Sequence, residues 1–263
     1  MKNLILIFIL VLVCETTLAF EHDGLWKFTK SGKYSVEAAK FYEIWVTGKK
    51  HLKGEYFPTE INMTGIQTPG DDTYVGIMAK TQISADLPHM LAILKNIKEY
   101  VSIYPDLDKV DLLKNEVSKI FTDQQIYWKF SGPLGTHTIY ETIQRVIKID
   151  DKRAALIYQL TKSDDVLDSD GFVFLEEDAK GKTKYLSVDF FNAKWGIAGT
   201  FFKDKIWSTT CENTSKATKA LMQKAQISQL PGASAEKVLM KCPDMANRKT
   251  LEAFEKISSN ILD

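Results

Sequence analysis

The chain has 263 residues, 44% of them hydrophobic and 26% charged, which suits one large globular domain and excludes a collagenous, coiled-coil or disordered chain. Lys plus Arg and Asp plus Glu both number 34, so the formal net charge is zero. A general nucleic-acid binder needs an excess of basic side chains to offset phosphates, and this balance argues against one.

The N-terminus carries a targeting pattern. Lys2 precedes the apolar run LILIFILVLVC, and Thr17-Leu18-Ala19 leads into a polar chain. A basic start, a short apolar core and small residues before a polar segment form a secretory signal, here residues 1–19 with cleavage after Ala19. The apolar run is too short for a membrane span. A rival reading takes Cys14 as a lipid-attachment site, but Val13 before it is not a small residue. The expected localisation is secreted or periplasmic.

Residues 20–72 read as a helical lead-in, with a helix expected from about Val36 to Val46. The turn-rich TGIQTPGDD ends it. The run TYVGIMAKTQI is then a strand. A helix follows, with Asp86 as its cap and Pro88 in its first turn, where a missing N–H costs little. Leu87, Met90, Leu91, Leu94, Ile97, Val101 and Tyr104 recur every three or four residues and form its apolar face. Pro105 stops it.

Six strand-like runs come next: KVDLLKNEVSKIF, QIYWKF, HTIYETIQRVIKI, RAALIYQL, GFVFLEE and KYLSVDFF. Short turns separate most of them, which favours an antiparallel meander over repeated βαβ units. The acidic turn SDDVLDSD lacks the spacing of a twelve-residue calcium loop and reads as a solvated turn. The segment WSTTCENTSKATKALMQKAQ is rich in helix formers toward its end. Residues 227–263 form a tail with a short amphipathic helix over NRKTLEAFEKISSNIL.

With the signal removed, Cys211 and Cys242 remain. In an oxidising compartment this even pair favours one disulfide, and two unrelated thiols are the alternative. Neither cysteine lies in a metal-ligand spacing, so no metal site is expected. Neither a Walker loop, a G-x-G-x-x-G nor a G-x-S-x-G is present, and no cofactor is implied.

The order strand, helix, antiparallel strands and C-terminal helix resembles the helix-grip fold of the START-like superfamily. The pieces carrying the resemblance are ISADLP, HMLAILKNIKEYVSIYP and DLDKVDLL, followed by QIYWKF, the break at GPLG and the long strand HTIYETIQRVIKID. It covers residues 73–226. The resemblance implies an α+β fold, a curved antiparallel β-sheet wrapped around a long C-terminal helix. It implies an internal cavity that binds or carries an apolar, lipid-like small molecule. It also implies a monomer with transient membrane contact. Two alternatives on the same scaffold are a cyclase- or aromatase-like enzyme and an interaction module with a filled cavity.

The candidate site residues lie on the faces of the strands. In HTIYETIQRVIKI, Ile139, Glu141, Ile143, Arg145, Ile147 and Ile149 share the more apolar face. If that face lines the cavity, Glu141 and Arg145 supply a polar handle for a ligand; otherwise they form a structural ion pair. Trp128, Tyr158 and Phe190, each on an apolar strand face, are the expected cavity walls.

Overall fold

In the computed structural model the described residues are 56–58, 60–67, 75–117, 121–132, 136–193, 196–229, 239–242 and 249–250. The expected signal, the helix over 36–46 and the tail beyond residue 250 lie outside them.

Eight strands form an antiparallel series: β1 (Glu60–Gln67), β2 (Val75–Ile83), β3 (Leu107–Val117), β4 (Phe121–Ser131), β5 (His137–Lys148), β6 (Arg153–Ser163), β7 (Val166–Glu177) and β8 (Thr183–Ala193). Their spatial order is β1-β2-β8-β7-β6-β5-β4-β3. The runs from β3 to β8 make the expected meander, and β2 closes against β8. The sheet starts earlier than residue 73. β1 lies within the segment read as a helical lead-in and pairs antiparallel with β2 from Asn62–Lys80 to Gln67–Val75. Two short strands, β9 (Leu239–Lys241) and β10 (Lys249–Thr250), pair with β1 in parallel.

β2 and β3 are far apart in the sheet, so the chain between them must cross one face. It does so as α1 (Leu87–Lys95) and a 3-10 helix (Ile97–Ser102). The Asp86 carboxylate accepts from the His89 amide at 2.9 Å, the expected N-cap. Glu177 on β7 accepts from the Leu87 amide, also at 2.9 Å. Leu87, Met90, Leu91, Ile93 and Leu94 are buried against the sheet. The expected single helix to Tyr104 breaks at Asn96. The tighter winding that follows buries Ile97 and Tyr100 and leaves Val101 exposed.

The break leaves carbonyls at the end of α1 without helical partners. The sheet supplies them. Gln144 donates to the Leu94 carbonyl at 3.2 Å and to Gln124 at 3.1 Å, and Gln124 donates to the Lys95 carbonyl at 3.0 Å. The Tyr100 hydroxyl donates to the Leu94 carbonyl at 2.6 Å. Replacing Gln144 by Leu removes the central member and leaves buried polar groups unpaired. The variant is expected to lose about 1–3 kcal/mol, read as a lower urea midpoint with an unchanged slope.

The C-terminal helix α2 spans Gly196–Gln229. Cys211 sits in its middle. Its buried positions Trp207, Cys211, Ser215, Thr218, Leu221, Met222 and Ala225 follow helical spacing but include small and hydroxyl residues. The hydroxyls of Ser215 and Thr218 donate to carbonyls one turn back, Glu212 and Thr214, so their burial leaves no donor unsatisfied. Cys211 and Cys242 form a disulfide with a Cα–Cα distance of 6.0 Å. With β9 paired to β1, it ties the tail to the domain.

Candidate functional site

Both helices lie on one side of the sheet, its inner face. The cross-strand register assigns each residue to a face. Inward on β4 and β5 point Thr122, Gln124, Ile126 and Trp128 opposite Val146, Gln144, Thr142 and Tyr140. On β6, β7 and β8 the row Tyr158–Gly171–Asp189 points the same way.

This corrects three expected site residues. Glu141 and Arg145 lie on the outer face, and they do not pair with each other. Glu141 accepts from Gln125 at 3.0 Å and from Lys162 at 3.4 Å. Arg145 makes a two-point contact with Asp123, and its guanidinium lies 4.3 Å from the centre of the Phe121 ring. Phe190 is buried but faces outward, in register with Asp170 and Gly76. The physical reason is that the centre of this sheet is buried on both sides. Ala155, Ile157, Phe172, Phe174, Leu186 and Val188 are all buried on the outer face. An apolar strand face therefore does not single out the inner one. The acidic segment is corrected too: Ser169 and Asp170 are buried in strand β7 rather than in a solvated turn.

Trp128 and Tyr158 do face inward. Trp128 donates to the Thr142 hydroxyl at 2.8 Å. Its indole lies flat against Tyr100, Phe130 and Tyr140 and meets Tyr104 edge-on at 5.4 Å. It braces an aromatic wall. The Tyr158 hydroxyl donates to the Asp189 carboxylate at 2.6 Å.

Asp189 is the residue that sequence reading missed. It alternates with Tyr185 and Ser187 on one face of β8, while the more apolar Leu186, Val188 and Phe190 occupy the other. Burial pushes its carboxyl up to about 6, against the opposing pull of the Tyr158 hydrogen bond. Burial likewise raises the phenols of Tyr140, Tyr158, Tyr185 and Tyr104, and the charge of Asp189 adds to each shift. These tyrosines stay neutral and can donate.

Gly171 makes the Tyr158–Asp189 contact possible. It sits between them in the register, on the strand that separates theirs. A Cβ there would fall 2.5 Å from the Tyr158 hydroxyl oxygen and 2.3 Å from the Val188 carbonyl oxygen. The tyrosine lies across the space that a side chain would fill.

Tyr104 is 37% exposed, and Tyr140, Tyr158 and Asp189 are each partly accessible. The inner face of the sheet thus presents aromatic side chains and one carboxyl group.

No family model matches the sequence, and no curated protein matches it. Solved structures do resemble it. TTHA0849 of Thermus thermophilus aligns with a TM-score of 0.50 at 12% identity, over 58% of this chain and 98% of its own. A STAR-related lipid transfer protein from Xanthomonas axonopodis aligns with a TM-score of 0.50 at 13% identity, over 63% of this chain and 93% of its own. The fold is START-like. At these identities the likeness establishes the fold alone.

Proposed function

We propose that this START-like chain binds and carries an apolar small molecule, lipid-like, with one polar group. The observation that carries this reading is the inner face on which the partly accessible Tyr104, Tyr140 and Tyr158 gather around the one carboxyl group of Asp189. An apolar ligand held against this face gains about 25 cal/mol for each Å² it removes from water. Asp189 and the neutral phenols would hydrogen-bond its hydroxyl, carbonyl or acid group and fix its orientation. The name of the Xanthomonas relative, a STAR-related lipid transfer protein, supports the same reading. Export is part of the proposal, supported by the pattern of residues 1–19 and by a disulfide suited to an oxidising compartment. Loading would require only transient membrane contact. No helix among the described residues is long and apolar enough to cross a membrane.

Native mass spectrometry of the purified protein, followed by solvent extraction, tests this. The expected result is a small apolar molecule that leaves on denaturation, with weaker retention after Asp189→Leu. An empty protein that also fails to bind a fluorescent fatty-acid or sterol probe would overturn it.

A second reading, a cyclase- or aromatase-like enzyme, is favoured by one observation. A carboxyl group titrating near 6 can both donate and accept a proton near neutral pH. Turnover of an extracted ligand, abolished by Asp189→Asn in a folded protein, would select it over carriage.

A further inference from the structure

β3 is the last strand on its side of the sheet, and among the described residues it pairs only with β4. An edge of this kind offers a row of backbone donors and acceptors to another strand. Its sequence LDKVDLLKNEV carries Lys109, Asp111, Lys114 and Glu116 around the central Leu112-Leu113. Read in the opposite direction, this arrangement is its own electrostatic complement. Antiparallel pairing of two copies about that centre sets Lys109 against Glu116, Asp111 against Lys114, and Leu112 against Leu113.

The pairing also requires the opposed charges to share a face. In a regular strand, Lys109 and Glu116 are seven residues apart and would point to opposite faces. β3 is not regular there. Its register with β4 shifts between Leu112 and Lys114, so Leu113 is an extra, bulged residue. On either side of the bulge, Lys109, Asp111, Lys114 and Glu116 lie opposite Lys129, Tyr127, Gln125 and Asp123. Those β4 residues belong to the outer face, so all four charges do as well. They are well exposed; among the described residues their ion pairs are in-strand, Lys109–Asp111 and Lys114–Glu116, and the Lys109 ammonium also lies 5.7 Å from the centre of the Tyr127 ring. Leu112 and Leu113 are also exposed, at 46% and 49%.

We propose that two copies of this chain associate through β3, edge to edge and antiparallel, about a two-fold axis at Leu112-Leu113. This replaces the expectation of a monomer and does not rest on the ligand reading. A two-fold contact presents the same patch from both partners, so each charge pair and each leucine contact occurs twice. The pairs add to the backbone hydrogen bonds of the joined sheet and select one register.

The test is sedimentation equilibrium of the full mature chain with charge-exchange variants. Lys109→Glu with Asp111→Lys keeps the in-strand ion pair but sets like charges across the axis. Lys114→Glu with Glu116→Lys does the same from the other side. The wild type is expected to dimerise with a salt-sensitive constant. Either double variant alone is expected to dimerise at least roughly tenfold more weakly, because like charges directly opposite oppose pairing. Mixed together, the two variants restore all four complementary contacts and are expected to form a heterodimer. The proposal is overturned by a wild type that stays monomeric at every concentration reached, by double variants that dimerise as the wild type does, or by a mixture that stays monomeric.

Discussion

Asp189→Asn is expected to stabilise the protein at neutral pH and to remove a pH dependence that the wild type shows. The folded-state value of Asp189 is about 6, above its ordinary value of 3.8. Between those values the native protein holds a proton that the unfolded chain has released. The native state binds more protons in that window, so stability falls as pH rises through it and levels off above about 6. Each unit corresponds to about 1.4 kcal/mol, so the loss approaches about 3 kcal/mol at pH 7. Asparagine can still accept from Tyr158 but carries no charge to bury. Urea denaturation of both proteins at several pH values reads the difference. Other carboxylates titrate alike in the two proteins and cancel. Parallel stability profiles would show that burial does not raise the Asp189 carboxyl in the folded protein.

Gly171→Ala is expected to cause the largest loss of stability, about 3 kcal/mol or more, read as a lower midpoint in thermal or urea unfolding. The added methyl meets the Val188 carbonyl oxygen at 2.3 Å, and that backbone atom is held in the sheet. It also displaces Tyr158, which leaves Asp189 without its hydrogen bond. Tyr158→Phe is the control. It removes the hydrogen bond but keeps the ring, and costs only about 1–2 kcal/mol. Adding Tyr158→Ala to Gly171→Ala should not rescue stability, because the clash with Val188 remains. A Gly171→Ala protein as stable as the wild type would mean that the sheet can open between β7 and β8 at that point.

The β3 edge and the inner face make separate demands on the sheet. Lys109, Asp111, Lys114 and Glu116 are on the outer face of its far edge, whereas Asp189 and Tyr158 are on the inner face near its middle. Loss of dimer in the charge-exchange variants is therefore expected to leave ligand retention intact, which allows each proposal to be tested without the other.

Much of the scaffold was legible from local signals. Asp86 and Pro88 announced the start of α1, and the runs from Leu107 to Phe190 announced an antiparallel meander. These signals are short-range: capping, proline geometry and strand propensity act within a few residues. β1 was hidden because EINMTGIQ has little alternation and finds its partners only in β2 and the tail. The extent of α2 was hidden because its buried positions include the disulfide-bonded Cys211 and the hydroxyl residues Ser215 and Thr218, which bond back to helix carbonyls, in place of a continuous apolar stripe.

The faces were decided by tertiary structure alone. Alternation separates two sets of side chains in β5 and β8, but it does not say which set meets the helices. On both strands the more apolar set, with Ile147 in β5 and Phe190 in β8, lies outward, and the more polar set, with Gln144 and Asp189, lies inward. Gln144 is inward because the end of α1 needs its hydrogen bonds, and Asp189 because Gly171 lets Tyr158 reach it. The sequence by itself determined the elements and their order. The assembled sheet decided which side of each strand bears the site, because that choice depends on partners that are distant in the chain and adjacent only in the fold.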